Sequence, residues 1–315
     1  MSSAERDLRL GLGGARLGNH LVALDDAGAR AVLDEAWERG VRLFDTAPHY
    51  GLGLSERRLG DFLAGRDRQQ FRISTKVGRR LVEQPNPEGA VDDEDFLVPA
   101  DRRRVWDFSE AGIRATLEQS LERLGLDHVD AVYLHDPERF DLGRALAEGL
   151  PALQRLKDEG LVGAVGVASM RLDALVAAVR EGPVDELMVA GRYTLIDQQA
   201  VEELLPLCEA RGVDVVAAAV FNGGLLAGPP DAGSTYDYAA VPEVVLDRAR
   251  ALDRACREAG VPVQAAALQF PLRHPAVRSV VVGVGGPAEI ADDVRLLEIE
   301  VPAALWSQLE RTVPS

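Results

Sequence analysis

Lysine is almost absent from this chain of 315 residues: only Lys76 and Lys157 occur, and every other basic side chain is arginine. A lysine kept in such a sequence marks a position where a planar guanidinium does not serve. Cysteine is as scarce. Cys208 and Cys256 both lie in stretches with helical patterning, which argues against a disulfide framework or a cysteine metal site and makes a reducing compartment the default. Positive charge is short too, with 35 Lys and Arg against 51 Asp and Glu, a formal net charge of −16. Nucleic acid and anionic membranes need a basic face, so neither is expected as the main partner. No apolar run reaches the ~20 residues of a membrane span, and the opening MSSAERDLRL has no signal-peptide core. The expected setting is the cytoplasm. The histidines (His20, His49, His128, His135, His274) are scattered and lack ligand spacing such as HxH, so no metal is expected.

What the chain does have is core. At 47% hydrophobic residues it has ample apolar material, which excludes intrinsic disorder. Short apolar runs alternate with amphipathic ones from end to end. Strands are predicted at 8–14, 41–47, 71–77, 129–135, 162–169, 186–193, 213–221 and 277–284. Helices are predicted near 25–40, 55–64, 109–125, 142–159, 171–181, 197–211, 243–259 and 303–312. Asp25 and Ser109 read as N-caps, and Gly40 and Gly125 read as helix stops. Eight strands buried on both faces and alternating with helices imply a parallel sheet covered by helices. The count, with no linker-like break, favours one closed (β/α)8 barrel domain over residues 1–315 rather than two doubly wound domains. The longest stretch without regular pattern, 78–107, follows the third strand. It holds Pro85, Pro87, the acidic VDDEDF and the basic DRRR, and its place puts it on the reactive face of a barrel.

Polar residues at the C-terminal strand ends converge on one mouth. The second strand exits through Asp45 and then Tyr50 in FDTAPHYG, the third through Lys76 in ISTKVG, and the fourth through His135 in YLHDP. A buried Asp–Lys pair would hold an ammonium beside the phenol and lower its pKa from ~10 towards working pH. Such a phenol serves as general acid or base for a carbonyl/alcohol pair, with His135 orienting the oxygen. Lysine suits this place because its charge is compact. Lys157, near a helix end, reads as a solvated residue, and His49 as loop or pocket lining. Each residue alone has a structural explanation; their joint occurrence on three consecutive strands is what carries the reading.

At these residues the chain resembles the aldo-keto reductase family over nearly its whole length. The matching stretches are LGLGGARLGN, FDTAPHYGLGLSERRLG, STKVGRR, SLERLGLDHVDAVYLHDPE, RYTLID, FNGGLLAG and VVVGVGGPAEIADD. RYTLID and FNGGLLAG are most similar to the branch of aldose 1-dehydrogenases (fucose or galactose type) and pyridoxal 4-dehydrogenases. The resemblance implies that Asp45, Tyr50, Lys76 and His135 form a catalytic tetrad and that NAD(P) binds in the barrel mouth. It implies that Tyr193 stacks on the nicotinamide. Phe221, Asn222, Gly224 and Leu225 then lie against the pyrophosphate, and Gly283, Val284, Gly285, Glu289, Asp292 and Asp293 hold the adenosine end. Where the family often has a Ser-Asn pair and a Gln for the carboxamide, this chain has Ala168-Ser169-Met170 and Ala190, which leaves Ser169 as the one retained contact. The stretch GVGGPAEIADD offers acids and no base for a 2′-phosphate, so NAD is expected over NADP.

The expected reaction is NAD-linked oxidation of an aldose hemiacetal to its lactone. Pyridoxal oxidation, NADP-linked carbonyl reduction and a non-catalytic nucleotide-sensing barrel are the alternatives. A small sugar or pyridoxal-like molecule is the expected partner. Trp106 and Phe108 of the long loop are candidate substrate walls together with His49, and the segment 233–241 is a further candidate. Oligomeric state has no readable signature.

Overall fold

A computed structural model of the chain describes residues 8–85, 89–231, 233–237 and 239–312. Pro87 of the long loop, Tyr238 of the 233–241 segment and the first seven residues lie outside the described residues. Eight parallel strands close into a barrel: β1 (Leu10–Gly13), β2 (Leu43–Asp45), β3 (Arg72–Val77), β4 (Val129–His135), β5 (Val162–Ser169), β6 (Glu186–Ala190), β7 (Asp214–Ala218) and β8 (Val277–Gly283). Each strand pairs with its neighbours in chain order, and β8 closes on β1. This is the expected (β/α)8 barrel.

Side-chain alternation then decides what faces the axis. Phe44, Ile73, Val77, Val132, Leu134, Val165, Val167, Leu187 and Val189 point outward into the main core beneath the helices. Ala131, Tyr133, Ala168, Met188, Val216 and Val281 form a separate cluster inside the barrel, with Leu43, Ala164 and Ala218 packed on it. Leu43 and Asp45 therefore share the inner side of β2, as do Tyr133 and His135 on β4. At the top of the barrel the inward positions of β2 to β4 are polar. Those of β5 to β8 are Ala168, Ala190, Ala218 and Gly283, which carry a methyl or nothing.

Helices follow their caps. Asp25 accepts from Gly28 N–H at 2.7 Å ahead of helix Asp26–Glu38, and Ser109 accepts from Gly112 N–H at 3.1 Å ahead of Glu110–Leu124. Several predictions of local structure differ from the fold: the sixth and seventh strands stop at Ala190 and Ala218, short of the expected 193 and 221, and the helix Pro287–Glu298 lies outside the predicted set. The stretch 78–107 carries an antiparallel hairpin, Arg79–Glu83 paired with Arg102–Trp106, which the prolines and charge runs between its strands concealed. A helix at Val263–Gln269 also went unpredicted; at seven residues between Pro262 and Pro271 it shows barely two turns of periodicity. Among the described residues no helix is long and apolar enough to cross a membrane.

Candidate active site

The barrel mouth brings Asp45, Lys76, Tyr50 and His135 together. Asp45 and Lys76 are almost fully buried, at 3% and 2% exposure. Lys76 Nζ donates to Asp45 Oδ2 at 2.6 Å and to the Thr46 carbonyl at 3.0 Å, while Ser74 Oγ donates to Asp45 Oδ1 at 2.7 Å. The ammonium also hydrogen-bonds the Tyr50 hydroxyl and stands 4.6 Å from the centre of its ring. Burial pulls the Lys76 pKa down, but the Asp45 carboxylate and the Tyr50 oxygen outweigh it and leave it raised. Lys76 is therefore a fixed cation at working pH.

Tyr50 reaches the mouth through a tight turn after β2. Its N–H donates to the Ala47 carbonyl at 3.0 Å, and Gly51, at φ +62°, lies so close to Gly18 that a Cβ would meet the Gly18 carbonyl oxygen at 2.3 Å. The Tyr50 ring stands at 88° to His135, with centroids 5.9 Å apart. His49 packs edge-on to His135 at 5.4 Å and against Phe96 at 5.1 Å. Burial, followed by Arg79 and Lys76, holds His135 well below the usual histidine range. Burial and the nearby arginines, Arg79 first, do the same for His49. Both imidazoles are neutral.

The long loop supplies the walls. Trp106 stacks on Phe140 at 5.9 Å and 10° and on Phe108 at 5.9 Å and 29°. Phe108 is only 1% exposed and belongs to the main core, so it backs Trp106 rather than lining a pocket. Sequence reasoning missed Phe96, the lone aromatic in VDDEDF, whose ring lies over Tyr50 at 6.1 Å and 29°. It also missed Arg104, which donates to the His49 carbonyl at 2.9 Å and pairs with Asp92 at 2.7 Å, and Arg79, which pairs with Asp136 beside His135.

On the far side of the mouth the turn Phe221–Leu225 rises after β7. Asn222 sits there at φ +48°, buried, with both amide atoms lacking a hydrogen-bond partner. Gly223 and Gly224 follow at φ +69° and +96°, and a Cβ on Gly224 would meet nothing within 4 Å. Leu225 and Val284 are core side chains that anchor their turns. Gly283 and Gly285 expose backbone. Gly285 N–H donates to Glu289 Oε2 at 2.9 Å at the start of helix Pro287–Glu298. Asp293, one turn on and buried, is pushed up to about 7 by burial and by the Glu289 and Asp292 carboxylates.

One expected contact is redirected. Ser169 lies on the outward parity of β5, since Ala168 faces inward. Its Oγ donates to Glu138 Oε1 at 2.8 Å and accepts from Arg171 N–H at 2.8 Å, so it ties a helix start instead of facing the mouth. The Tyr193 ring is buried in the main core against Phe270 at 5.3 Å and edge-on to His274 at 6.0 Å. Phe270 is a core side chain and His274 is half-buried. Lys157 is not simply solvated either: its Nζ holds both Asp185 oxygens at 2.7 Å. A cavity of about 460 Å³ lies at the opposite end of the barrel, lined among others by Tyr133, whose hydroxyl donates to Glu186 at 2.7 Å. None of the four converging side chains lines it.

The aldo/keto reductase family profile matches residues 9–313. The chain belongs to that family. It is 51% identical over 313 residues to D-threo-aldose 1-dehydrogenase of a Pseudomonas species, covering 97% of this chain and 94% of that one. It is 36% identical to pyridoxal 4-dehydrogenase of Microbacterium luteolum, covering 95% and 92%. Among solved structures it is similar to the holo form of aldo-keto reductase AKR11C1 from Bacillus halodurans, with a TM-score of 0.78, 27% identity and coverage of 97% and 92%. This member of the aldo/keto reductase family is thus an NAD(P)-dependent oxidoreductase, and the family binds nicotinamide cofactors.

Proposed function

We propose that this aldo/keto reductase oxidises the hemiacetal carbon of an aldose of the fucose or galactose type to the lactone, with NAD preferred over NADP. The observation that carries the reading is the continuous chain from Asp45 through Lys76 to the Tyr50 oxygen, beside an imidazole that is neutral. In a buried site the ammonium stabilises a phenolate by a charge-assisted hydrogen bond. Asp45 keeps the proton on Lys76, so the proton that moves is the one between substrate and Tyr50. The Tyr50 oxygen takes the hydroxyl proton at the anomeric carbon as general base. His135 fixes the same substrate oxygen with one hydrogen bond and adds no second cation to the site. The neutral His49 and the aromatic faces of Trp106 and Phe96 close the pocket.

Bound NAD(P) supplies the acceptor for the hydride that leaves the anomeric carbon. The chain fits such a group. Ala168, Ala190 and Ala218 leave the inner rim of β5 to β7 shallow enough for a flat ring. The partnerless Asn222 amide is suited to phosphate oxygens, and the missing side chain at Gly224 leaves them room. Glu289 and Asp292 place carboxylates on the first half of helix Pro287–Glu298, beside Asp293, which is raised to about 7, and with Arg295 paired to Asp292 at 3.2 Å; a 2′-phosphate would add about two more negative charges there, whereas a ribose hydroxyl would donate to a carboxylate. The likeness to D-threo-aldose 1-dehydrogenase supports the sugar substrate. Pyridoxal, itself a cyclic hemiacetal, is the second substrate to test, given the relative named for it.

The test is a screen of fucose-type aldoses and pyridoxal with NAD and NADP side by side, for the parent and for Tyr50→Phe. Turnover on an aldose with NAD, lowered by ~10²–10⁴ in Tyr50→Phe with NAD affinity kept, is the expected result. Background rates with every aldose, or tighter binding of NADP than NAD, overturn the corresponding part.

A further inference from the structure

Arg79 is the first residue of the hairpin strand that leaves the barrel just past Lys76. Its guanidinium is 3% exposed, stands 4.5 Å from the Trp106 ring centre, and forms an ion pair with Asp136. Asp136 follows His135 directly and is held at φ +43°, a conformation seldom taken by a residue with a side chain. Its N–H donates to the Ala168 carbonyl at 2.9 Å, which fixes the turn. In that position its Oδ2 lies 3.9 Å from His135 Nε2, so one carboxylate lies within reach of both a guanidinium and the imidazole. The charged and titratable groups around His135 are Lys76 from β3, His49 and Tyr50 from the turn after β2, Arg79 from the hairpin, and Asp136 and Arg139 after β4. Among the described residues Asp136 is the acid with an oxygen within 4 Å of a His135 ring nitrogen, while Asp45 lies behind Lys76 and is paired with it.

We propose that Arg79 is a positioning residue: by pairing with Asp136 it keeps that carboxylate from turning His135 into an imidazolium and from drawing its N–H away from the reacting oxygen. The proposal rests on the reading of His135 as the group that orients that oxygen. It assigns a role to the hairpin beyond walling the pocket, since the hairpin carries the cation that, after burial itself, does most to keep His135 neutral. With the guanidinium removed, an unpaired carboxylate 3.9 Å away favours the charged imidazole. An opposite charge at such a distance raises a histidine titration by about 1–3 pH units.

The experiment follows the His135 imidazole by NMR in ¹⁵N-histidine-labelled protein, assigned with His135→Gln, over about pH 5 to 8, where an ordinary histidine titrates. The parent is expected to stay neutral throughout. Arg79→Met is expected to bring the titration into the window, and Arg79→Gln, which keeps a hydrogen bond to Asp136 without the charge, to do the same if the first variant folds poorly. Adding Asp136→Asn to either is expected to return His135 to the neutral form. In kinetics, kcat/KM of the single variants at pH 6 falls ~10-fold or more relative to pH 8, and the double variants lose this extra fall. If His135 stays neutral in both single variants, or if Asp136→Asn does not reverse the change, the proposal is overturned. If His135 titrates as expected while kcat/KM shows no matching acid limb, the positioning of the imidazole stands and the assigned role of His135 in catalysis fails.

Discussion

Replacing Lys76 with methionine removes the ammonium while keeping the length of the side chain. Asp45 would then retain one donor, Ser74 Oγ at 2.7 Å, and lose the 2.6 Å contact on its other oxygen. At 3% exposure its carboxylate cannot recover that contact from water. Breaking a buried pair by removing one partner costs about 3–5 kcal/mol, a large share of the ~5–15 kcal/mol that a folded protein has in total. Removing both charges, with Asp45→Asn and Lys76→Met together, leaves no buried ion and is expected to return stability to within ~1 kcal/mol of the parent. Urea unfolding followed by circular dichroism measures all three proteins, with an unchanged m-value showing that the same surface is exposed. The pH dependence has a definite sign. Lys76 is raised in the folded state, so its contribution is complete below the unfolded value of ~10.4 and is lost only as pH rises through the folded one. Lys76 itself therefore adds no slope to the stability of the parent between roughly pH 6 and 9. A single variant within ~1 kcal/mol of the parent, or a double variant as unstable as the single, refutes the account of the pair.

Two further outcomes follow from other parts of the fold. Asp293 is raised to about 7, so the unfolded chain ionises it from ~4 while the folded chain resists until near neutrality; stability falls between those values, by at most ~4 kcal/mol. Asp293→Asn should raise the melting temperature at pH 8 and leave it nearly unchanged at pH 4, and an equal effect at both would refute the assignment. Gly166→Ala places a Cβ 1.7 Å from the Glu186 carbonyl oxygen of the neighbouring strand; insoluble protein, or a loss of more than ~3 kcal/mol in urea, is expected, and parent-like unfolding would contradict the pairing of β5 and β6.

Much of the barrel could be read in advance because each strand is a run of apolar residues ended by a distinct stop. β4 and β5 were predicted to the residue, and Asp45, Lys76 and His135 lie at the strand ends where they were expected. What escaped depended on direction or on distant partners. The parity of β5 turns Ser169 outward, and that was legible from Ala168 had alternation been applied there. Tyr193 matched a motif, but its ring neighbours Phe270 and His274 come from 77 and 81 positions later. Arg79 and Phe96 looked like loop residues because charge runs and prolines masked the hairpin that carries or brackets them, and the role of Asp136 depends on Arg79, which comes from that hairpin.

The polar top of β2 to β4 and the shallow top of β5 to β8 have a consequence in time. Every member of the Asp45–Lys76–Tyr50–His135 group, and the Arg79–Asp136 pair beside it, is encoded before residue 137, while the turns suited to a dinucleotide come from the second half. During synthesis the proton-handling half is therefore complete before the half that would supply a hydride acceptor exists. Its buried charges, Lys76 against Asp45 and Arg79 against Asp136, are already matched within that first half, so a nascent half-barrel need not wait for distant partners to neutralise them.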